Sequence, residues 1–439
     1  MKSVLLAAIP LTFAMISKSQ RNRRKGVTIT FAVSENTAQV APITGLKNSR
    51  IKNMPVLSRE GHYFMGCFSK ENPGPSDIPV HDFFPQNDTT VYPCWVQEIK
   101  GMLFAERNPA SGRKHVEITS YPEDAKALTI PRYLNGIPVT HIGPSACRRS
   151  SLSGVLEIPE GITTIGSNAF DGCTGLTGDL TIPSSVTMIG KGAFRGCTGF
   201  NGKLSIPHGV QTIGDRTFAH CNSLTGDLTL PASITVIGEY VFSCCSGLNG
   251  KLTLSPQAAT IGRGAFFDCS GLTGALTIPS GVVTIEDNAF RNCSALQGAL
   301  TLAPTVRTIS NSAFEGCKGL SGTLSLLSGI TSIGEYAFCD CTGLSGPLMI
   351  PPSITRINSG AFCECIGLSG VLTIHSNVAF IGLGAFHGCA NLTAIFCEST
   401  DRPSAWDDIW KLGCPACVYW GRTWHYDEAI GLPIANASE

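Results

Sequence analysis

The chain has 439 residues and no net charge, because its 32 Lys and Arg residues balance 32 Asp and Glu residues. Apolar residues make up 43% and charged residues 15% of the sequence, which excludes a disordered tail or a coiled coil. Zero net charge also removes the electrostatic attraction that dominates binding to nucleic acid or anionic membranes. We therefore expect no nucleic-acid partner. We also expect no membrane span, since no apolar run reaches the roughly 18 to 20 residues of a membrane-spanning helix.

The first 19 residues have the layout of a secretory signal peptide. Lys2 precedes an apolar run from Val4 to Ile16, and small polar residues follow. The cleavage site is poor, because the basic run from Arg21 to Lys25 comes directly afterwards. A leader at residues 1–19 is therefore the expectation, with a short amphipathic or organelle-targeting segment, or an ordinary terminus, as alternatives.

The next two regions lead up to a repeat. Residues 20–100 contain Pro-rich and Gly-rich patches, and no fold is predicted for them. Residues 101–127 are predicted to form an N-terminal hairpin cap, because Asn108 to Gly112 divide the stretch from Met102 to Ile118. Such a hairpin could cover the edge of the first repeat unit.

A repeat with a fixed period of 24 residues occupies the middle of the chain. Phe recurs at this period from Phe170 to Phe386, and Ile from Ile165 to Ile381. The first unit, from Ile142 to Ile158, is one residue short and has Cys147 in place of Phe, as capping of an array predicts. A period of this length indicates a solenoid. The clearest marker is a ladder of ten cysteines, namely Cys173, Cys197, Cys221, Cys245, Cys269, Cys293, Cys317, Cys341, Cys365 and Cys389.

Each unit predicts two short strands and a turn. Leu180 to Pro183 alternates apolar and polar residues and ends in a residue that lacks an N–H donor. Val186 to Ile189 predicts a second strand, and Lys191 to Cys197 one helical or 3-10 turn that directs Phe194 inward. One coil cannot bury enough surface to fold alone, so stability must arise between stacked coils with parallel strands.

Stacking would align equivalent residues into columns. One outward column alternates in sign and predicts charge pairing between adjacent coils; it comprises Asp179, Lys203, Asp227 and Lys251. A second column presents hydroxyl groups on the same face, from Thr181, Ser205, Thr229, Thr253, Thr277, Thr301, Ser325 and Thr373. A flat hydroxyl face could meet a partner, although β-propensity explains it equally well.

The motif from Ile182 to Cys197 resembles the BspA-like, or Treponema-type, leucine-rich repeat family. The resemblance covers about Leu128 to Phe396 and implies a right-handed coil with a curved parallel sheet at residues 128–396. It also implies a surface protein that binds other proteins or host matrix, without catalytic residues. The period of 24 departs from the 23 that is frequent in the family. Residues 397–439 resemble the family's C-terminal caps.

The ladder cysteines face inward in such a coil, where a thiol is a small apolar filler and a weak donor. Cys339 and Cys363 stand two residues before ladder members Cys341 and Cys365, so the four sulfurs could form a zinc site. Alternation opposes that interpretation, because Cys339 and Cys363 should point outward. An outward disulfide between these two remains a second alternative to free thiols.

The C-terminal region contains a second group of metal-binding residue types. Cys414 and Cys417 follow Cys397 and precede His425. A disulfide or buried thiols in a cap is the favoured interpretation, and a zinc site or a redox pair the alternatives. The sequence also contains four Asn-x-Ser/Thr sequons, at Asn87, Asn292, Asn391 and Asn436. If the chain is secreted in a eukaryote, Asn87 and Asn436 are the candidates for glycosylation, and in any other compartment the sequons carry no meaning.

No enzyme motif accompanies these features, so we expect a protein without catalytic activity or cofactor. The predicted function is protein–protein binding at the cell surface or after secretion, with a protein or extracellular-matrix ligand and an undetermined oligomeric state. An intracellular, cytoplasmic scaffold is the alternative. Turn positions that vary between coils are candidates for a binding surface, although surface drift explains them equally well; these are Arg195, His220, Phe267, Arg291 and His387.

Overall fold

The computed structural model describes residues 26–32, 40–52, 54–70, 73, 77–80, 83–108, 113–421, 423–427 and 432–436. The predicted leader lies outside these residues. Within them, no helix has the length and apolar character required to cross a membrane. The chain divides into two compact units, the first with the bounds Met1–Ile118 and Ile130–Thr140, and the second with the bounds Thr119–Thr129 and His141–Glu439.

A four-stranded sheet forms the first unit, in the region for which no fold was predicted. Its strands are β1 (Gly26–Phe31), β2 (Ile43–Leu46), β3 (His62–Phe68) and β4 (Thr89–Gln97). They lie in the order β2-β1-β4-β3, with β1 and β4 parallel and the other pairs antiparallel. Alternate residues face a small core, in which Ile29 and Val91 are fully buried beside Phe64 and Phe84.

Two shorter strand pairs follow. β5 (Leu103–Arg107) and β6 (His115–Ser120) are neighbours in one sheet, in the segment where the sequence predicts a hairpin, and Arg107 forms an ion pair with Glu117 across them. β7 (Tyr133–Leu134) pairs antiparallel with β8 (Ile137–Ile142). Asn135 and Gly136 join these two strands with φ values of 53° and 76°, the left-handed conformation that two-residue hairpin turns require.

The second unit is the predicted β-solenoid with parallel strands, and neighbouring coils pair at the period of the sequence repeat, as Met188 does with Thr212. Most strands have only two or three residues, because turns occupy most of each repeat, and the longer strands lie in the last coils. In chain order the strands are β9 (Ser153–Val155), β10 (Thr164–Ile165), β11 (Gly175–Thr177), β12 (Leu180–Thr181), β13 (Met188–Ile189), β14 (Leu204–Ser205), β15 (Thr212–Ile213), β16 (Leu228–Thr229), β17 (Val236–Ile237), β18 (Leu252–Thr253), β19 (Thr260–Ile261), β20 (Thr284–Ile285), β21 (Thr308–Ile309), β22 (Ser332–Ile333), β23 (Gly346–Met349), β24 (Arg356–Ile357), β25 (Leu368–Ile374), β26 (Phe380–Ile381) and β27 (Leu392–Cys397).

The second strand of each coil builds the most regular part of the solenoid. β17, β19, β20, β21, β22, β24 and β26 follow one another in a parallel sheet, and β10, β13 and β15 do the same nearer the N-terminus. The register places each Ile opposite the Ile of the next coil, as with Ile285 and Ile309. These Ile side chains are buried, whereas the preceding residue faces outward. The first strands pair less continuously, as in β12–β14 and β16–β18.

The turn after the second strand is not helical, which corrects the predicted helical or 3-10 turn. Successive N–H groups alternate between two kinds of acceptor. Ala193 N–H donates within the turn to Gly190 at 3.2 Å, whereas Phe194 N–H donates to Thr217 of the next coil at 2.9 Å. A helix would direct all of these donors along its own axis. The alternation therefore satisfies the turn backbone from coil to coil.

Two ladders fill the interior of the solenoid. The Phe rings from Phe170 to Phe386 stack with centroids 5.2 to 5.7 Å apart and planes within 2° to 10°, an offset arrangement that aromatic rings favour. Each ladder cysteine from Cys197 to Cys389 donates its thiol proton to the carbonyl of the Phe one coil earlier, at 3.0 to 3.1 Å. The same carbonyl also accepts the backbone N–H of the cysteine in its own turn, as Phe170 does from Cys173 at 3.1 Å, so each of these buried Phe carbonyls has two donors.

The C-terminal segment adds one further coil. Trp406 bridges to Ile381, and Trp410 packs edge-on against Phe386 with centroids 5.8 Å apart, so the parallel ring stack ends there. β28 (Cys417–Trp420) extends the parallel sheet of β27, and β29 (Trp424–Asp427) pairs antiparallel with β30 (Leu432–Ala435).

Removal of two whole coils should preserve the fold, because each coil contacts only its neighbours. Deletion of two complete repeats, from Leu272 to Gly319, joins two equivalent positions and restores every ladder. We expect an unchanged β-type circular dichroism spectrum and one cooperative thermal transition.

Deletion of half a repeat, from Leu272 to Val283, is the matched control. It brings unlike positions of the repeat into register and should abolish cooperative unfolding. Equal behaviour of the two deletions would contradict the coil-by-coil account of stability.

Candidate interaction surface

The candidate functional features of the described residues lie on the outer surface of the solenoid. Within the described ranges, no group of three or more His, Cys, Asp and Glu side chains is arranged to hold a metal ion. The candidate functional features are therefore the outward columns of the solenoid, which repeat along its length.

The structure decides between the alternatives for Cys339 and Cys363. Cys339 and Cys363 form a disulfide between adjacent coils, with Cα atoms 4.6 Å apart. Cys341 and Cys365 are fully buried on the other side of the backbone and donate to Phe carbonyls. The four sulfurs do not converge, which leaves no four-thiolate zinc site here.

The cysteines and histidine of the C-terminal region also remain apart. Cys397 and Cys414 are buried, whereas Cys417 is exposed. The Nδ1 atom of His425 contacts the Oδ1 atom of Asn436 at 2.6 Å on the exposed surface. The structure does not bring these residues together as a metal site.

One outward column forms a strip of hydroxyl groups, which we call the hydroxyl strip. Its members are all exposed and stand at the same position of seven successive coils: Thr181, Ser205, Thr229, Thr253, Thr277, Thr301 and Ser325. Thr373, assigned to the same column from the sequence, is only 2% exposed and does not belong to the strip. The strip presents one hydroxyl group per coil, which can both donate and accept a hydrogen bond.

The neighbouring charged column works differently from the predicted pairing of opposite side chains. The Asp179 carboxylate accepts the backbone N–H of Lys203 at 2.7 Å, and Asp227 accepts that of Lys251 at the same distance. The carboxylates thus bond to backbone amides of the next coil, and the Lys side chains stay exposed. Their role is to satisfy donors in the first-strand row, where strand pairing is discontinuous.

The variable turn positions form a second column, here called the turn column. From Asp171 it continues through Arg195, Ala219, Ser243, Phe267, Arg291, Glu315, Cys339 and Cys363 to His387. Near its start, the Asp171 carboxylate bonds to both Arg148 and Arg195 at 2.9 Å. Burial alone would raise the pKa of Asp171, but the hydrogen bonds and charges of the two Arg residues outweigh burial and hold the pKa below its ordinary value.

Further along, members of the turn column again pair with the next coil. The Arg291 guanidinium lies 5.9 Å from the centre of the Phe267 ring and 2.8 Å from Glu315. The Cys339–Cys363 disulfide follows, and the Nε2 atom of His387 lies 3.2 Å from Glu364. Four predicted binding positions, Arg195, Phe267, Arg291 and His387, are therefore engaged in contacts between coils.

The turn column has one gap, at the small residues Ala219 and Ser243. The gap forms a cavity of about 280 Å³, which we call the notch; its lining comprises Arg195, Arg216, Ala219, His220, Tyr240 and Ser243. The fifth predicted binding position, His220, lies here with an exposed side chain. Sequence reasoning missed Arg216 and Tyr240. The available signal was their repeat position, which most other coils fill with Gly, Asn or Ser.

The four sequons occupy different environments. The side-chain amides of Asn292 and Asn391 donate to Asp268 and to the Ile366 carbonyl, each at 2.7 Å. Asn87 and Asn436 are exposed, the latter with its Oδ1 atom against His425.

The comparisons with known proteins concern the repeat. A family model described as BspA type leucine rich repeat region matches residues 140–273 and 260–393, with six copies. These matches span more than half of the chain. A search of curated proteins gives no match.

Among solved structures, the chain is similar to a leucine rich cell surface protein from Faecalibacterium prausnitzii, with 26% identity over 67% of this chain and 93% of that chain and a TM-score of 0.39. A leucine-rich repeat protein from Bacteroides ovatus shares 22% identity over 74% of this chain and 91% of that chain, with a TM-score of 0.49. The T. pallidum leucine rich repeat protein shares 27% identity over 55% of this chain and 87% of that chain, with a TM-score of 0.36.

The buried thiol ladder should make the solenoid sensitive to alkali. Burial raises the pKa of the Cys317 and Cys365 thiols to about 12, and burial together with neighbouring thiols raises the pKa of Cys293 well above its ordinary value. The unfolded chain loses these protons near pH 8.5, whereas the folded chain keeps them. Stability is therefore complete below that pH and declines up to the folded pKa, by about 1.4 kcal/mol per thiol and pH unit.

Urea unfolding between pH 8 and pH 11 measures this slope. Replacement Cys317→Ala should reduce the slope by one thiol's share relative to the unmodified chain, even if it lowers stability at pH 7. Cys417→Ala, which changes an exposed thiol, is the control and should leave the slope unchanged. A slope that Cys317→Ala does not alter would contradict the prediction.

Proposed function

Since the chain belongs to the BspA-type leucine-rich repeat family, we propose that it is a non-enzymatic protein that binds another protein or an extracellular-matrix ligand at or outside the cell surface. The observation that carries this proposal is the hydroxyl strip. It offers the same group at equal spacing on seven coils, with neither a bulky side chain nor a buried charge interrupting it.

The strip suits a partner that is recognised by many equal contacts. A hydroxyl group donates and accepts, so it can pair with backbone or side-chain groups of either polarity. Each contact contributes little by itself, but adjacent contacts on a rigid array add without further loss of freedom. Affinity would therefore depend on the number of coils that a partner covers.

The disulfide between Cys339 and Cys363 supports a location outside the cytoplasm. Disulfides persist in oxidising compartments and are rare where thiols are kept reduced. The buried ladder thiols do not oppose this location, because each is fully enclosed and hydrogen-bonded to a carbonyl. An intracellular scaffold with all thiols reduced is the second candidate, which the thiol state tests directly.

Charges placed in the strip should abolish binding. The full chain, fluorescently labelled, is incubated with intact cells and with immobilised matrix proteins, and protease treatment of the cells identifies protein sites. In the triple variant Ser205→Lys, Thr229→Lys, Thr253→Lys, the ammonium groups cannot be buried without loss of hydration, and retention should fall at least tenfold.

A matched control places the same charges on another face of the same coils. Gln211→Lys, Thr235→Lys and Ala259→Lys change exposed positions outside the strip and should retain binding. Equal loss in both triple variants would assign the effect to charge alone and contradict the strip as the binding face.

The proposed location is tested by expression of the full chain in a secretion-competent host. Mass spectrometry after alkylation should find an exported product in which the Cys339 and Cys363 peptides are linked, while the ladder peptides are alkylated only after denaturation. A retained chain with Cys339 and Cys363 both alkylated would contradict the extracellular proposal and favour the scaffold.

A further inference from the structure

We propose that the notch is a binding site for a carboxylate, supplied by an Asp or Glu side chain of a protein partner. The source of the carboxylate rests on the proposed protein-binding function. The site itself rests on three polar side chains that converge on the notch, namely those of Arg216, His220 and Tyr240.

The Arg216 guanidinium is held in place but has no anionic partner in the described part of the chain. It lies 5.2 Å from the centre of the Tyr240 ring, which orients its planar donors. The Tyr240 ring in turn lies over Gly264, where an added Cβ atom would collide with it. Gly264 therefore leaves space for the Tyr240 ring, and the ring supports the Arg216 guanidinium.

Two of the nearby carboxylates are already engaged. Asp171 is shared by Arg148 and Arg195, and Asp215 pairs with Lys191 at 3.6 Å. Among the described residues, none forms an ion pair or a side-chain hydrogen bond with Arg216 or His220. The notch thus contains a guanidinium that one oxyanion would complete with two parallel hydrogen bonds.

Bulky residues in the left-handed backbone conformation also cluster at the notch, although Tyr336 and Glu364 adopt this conformation elsewhere. Arg216, Tyr240 and His220 have φ values of 56°, 53° and 63°, in the left-handed region. The equivalent positions of other coils include Gly192, Gly264 and Gly196, which adopt this conformation without strain. A side chain with a Cβ atom is strained there. Three such residues meet at one cavity, although the fold accepts glycine at each of their positions.

The cavity also favours a carboxylate on a short apolar stem over a free anion. Its volume of about 280 Å³ exceeds that of a bare oxyanion, and Ala219 and the Tyr240 ring provide apolar walls beside the polar groups. Asp and Glu side chains have this combination of methylene groups and a planar carboxylate. A second cavity of about 270 Å³ lies further along the turn column, at Cys363 and His387, but no Arg or Lys lines it.

The test measures fluorescence anisotropy of a labelled hexaglutamate peptide with the full chain. A hexaglutamine peptide with the same label is the uncharged control and should bind at least tenfold more weakly. Arg216→Gly should weaken hexaglutamate binding about tenfold without loss of thermal stability, because it also relieves the left-handed strain. Arg216→Lys keeps the charge but not the paired donors and should give an intermediate affinity.

Tyr336→Gly is the matched control variant. Tyr336 stands at the repeat position of Arg216 and Tyr240 with a φ of 55°, and its ring packs over Gly360 as that of Tyr240 packs over Gly264. This replacement relieves the same strain outside the notch and should leave hexaglutamate binding unchanged.

Three outcomes would overturn the proposal. Equal binding of the two peptides would show that the carboxylate is not recognised. Unchanged binding by Arg216→Gly would show that the notch is not the binding site. A sulfated hexasaccharide that binds more tightly than hexaglutamate, with the same loss in Arg216→Gly, would assign the notch to a glycan. The hydroxyl-strip variant should still bind hexaglutamate, so failure of the notch and failure of the proposed function are distinguishable.

Discussion

The solenoid depends on one constraint, which is that the backbone of a coil cannot satisfy its own hydrogen-bonding groups. In the turn, every second N–H donates to the next coil, as Phe194 does to Thr217. The peptide units must therefore alternate in direction, and residues in the left-handed conformation provide this alternation at two positions per coil. The stacked rings, the thiol-to-carbonyl bonds and the paired Ile strands all follow from the register that these backbone bonds set.

The sequence repeat made most of the solenoid predictable. Each constant spacing within the chain marks a side chain that must meet its own copy one coil later, so periodicity alone identified the inward ladders and the parallel strands. The turn conformation was not predictable in the same way, because its donors find acceptors in the next coil and not within the segment. The first unit has no internal copies, and its central pairing of β1 with β4 joins residues that are far apart in the sequence, such as Ile29 and Thr89.

The turn column shows why variability between coils does not by itself identify a binding surface. Arg195 and Arg291 differ from their equivalents in other coils, yet each bonds to a carboxylate of an adjacent coil, and Cys339 and Cys363 are joined covalently. Such pairs favour one register of the stack over a shifted one, since a shift by one coil would oppose unlike partners. The sequence offered the Cys339–Cys363 disulfide as an alternative, but it did not identify the ion pairs of Arg195 and Arg291, because their partners become neighbours only once the coils are stacked.

The same constraint makes the notch unusual among the turns, since Tyr336 is the one other bulky residue at the repeat position of Arg216 and Tyr240. A left-handed position is best filled by Gly or Asn, so the fold selects for small residues there irrespective of function. Arg216 and Tyr240 depart from this selection on consecutive coils, and they do so beside the two coils in which the turn column contributes only Ala219 and Ser243. The notch therefore has bulky side chains where the backbone favours small ones, and small side chains where other coils carry paired ones. Stability does not require this arrangement. Recognition of a ligand explains both departures together.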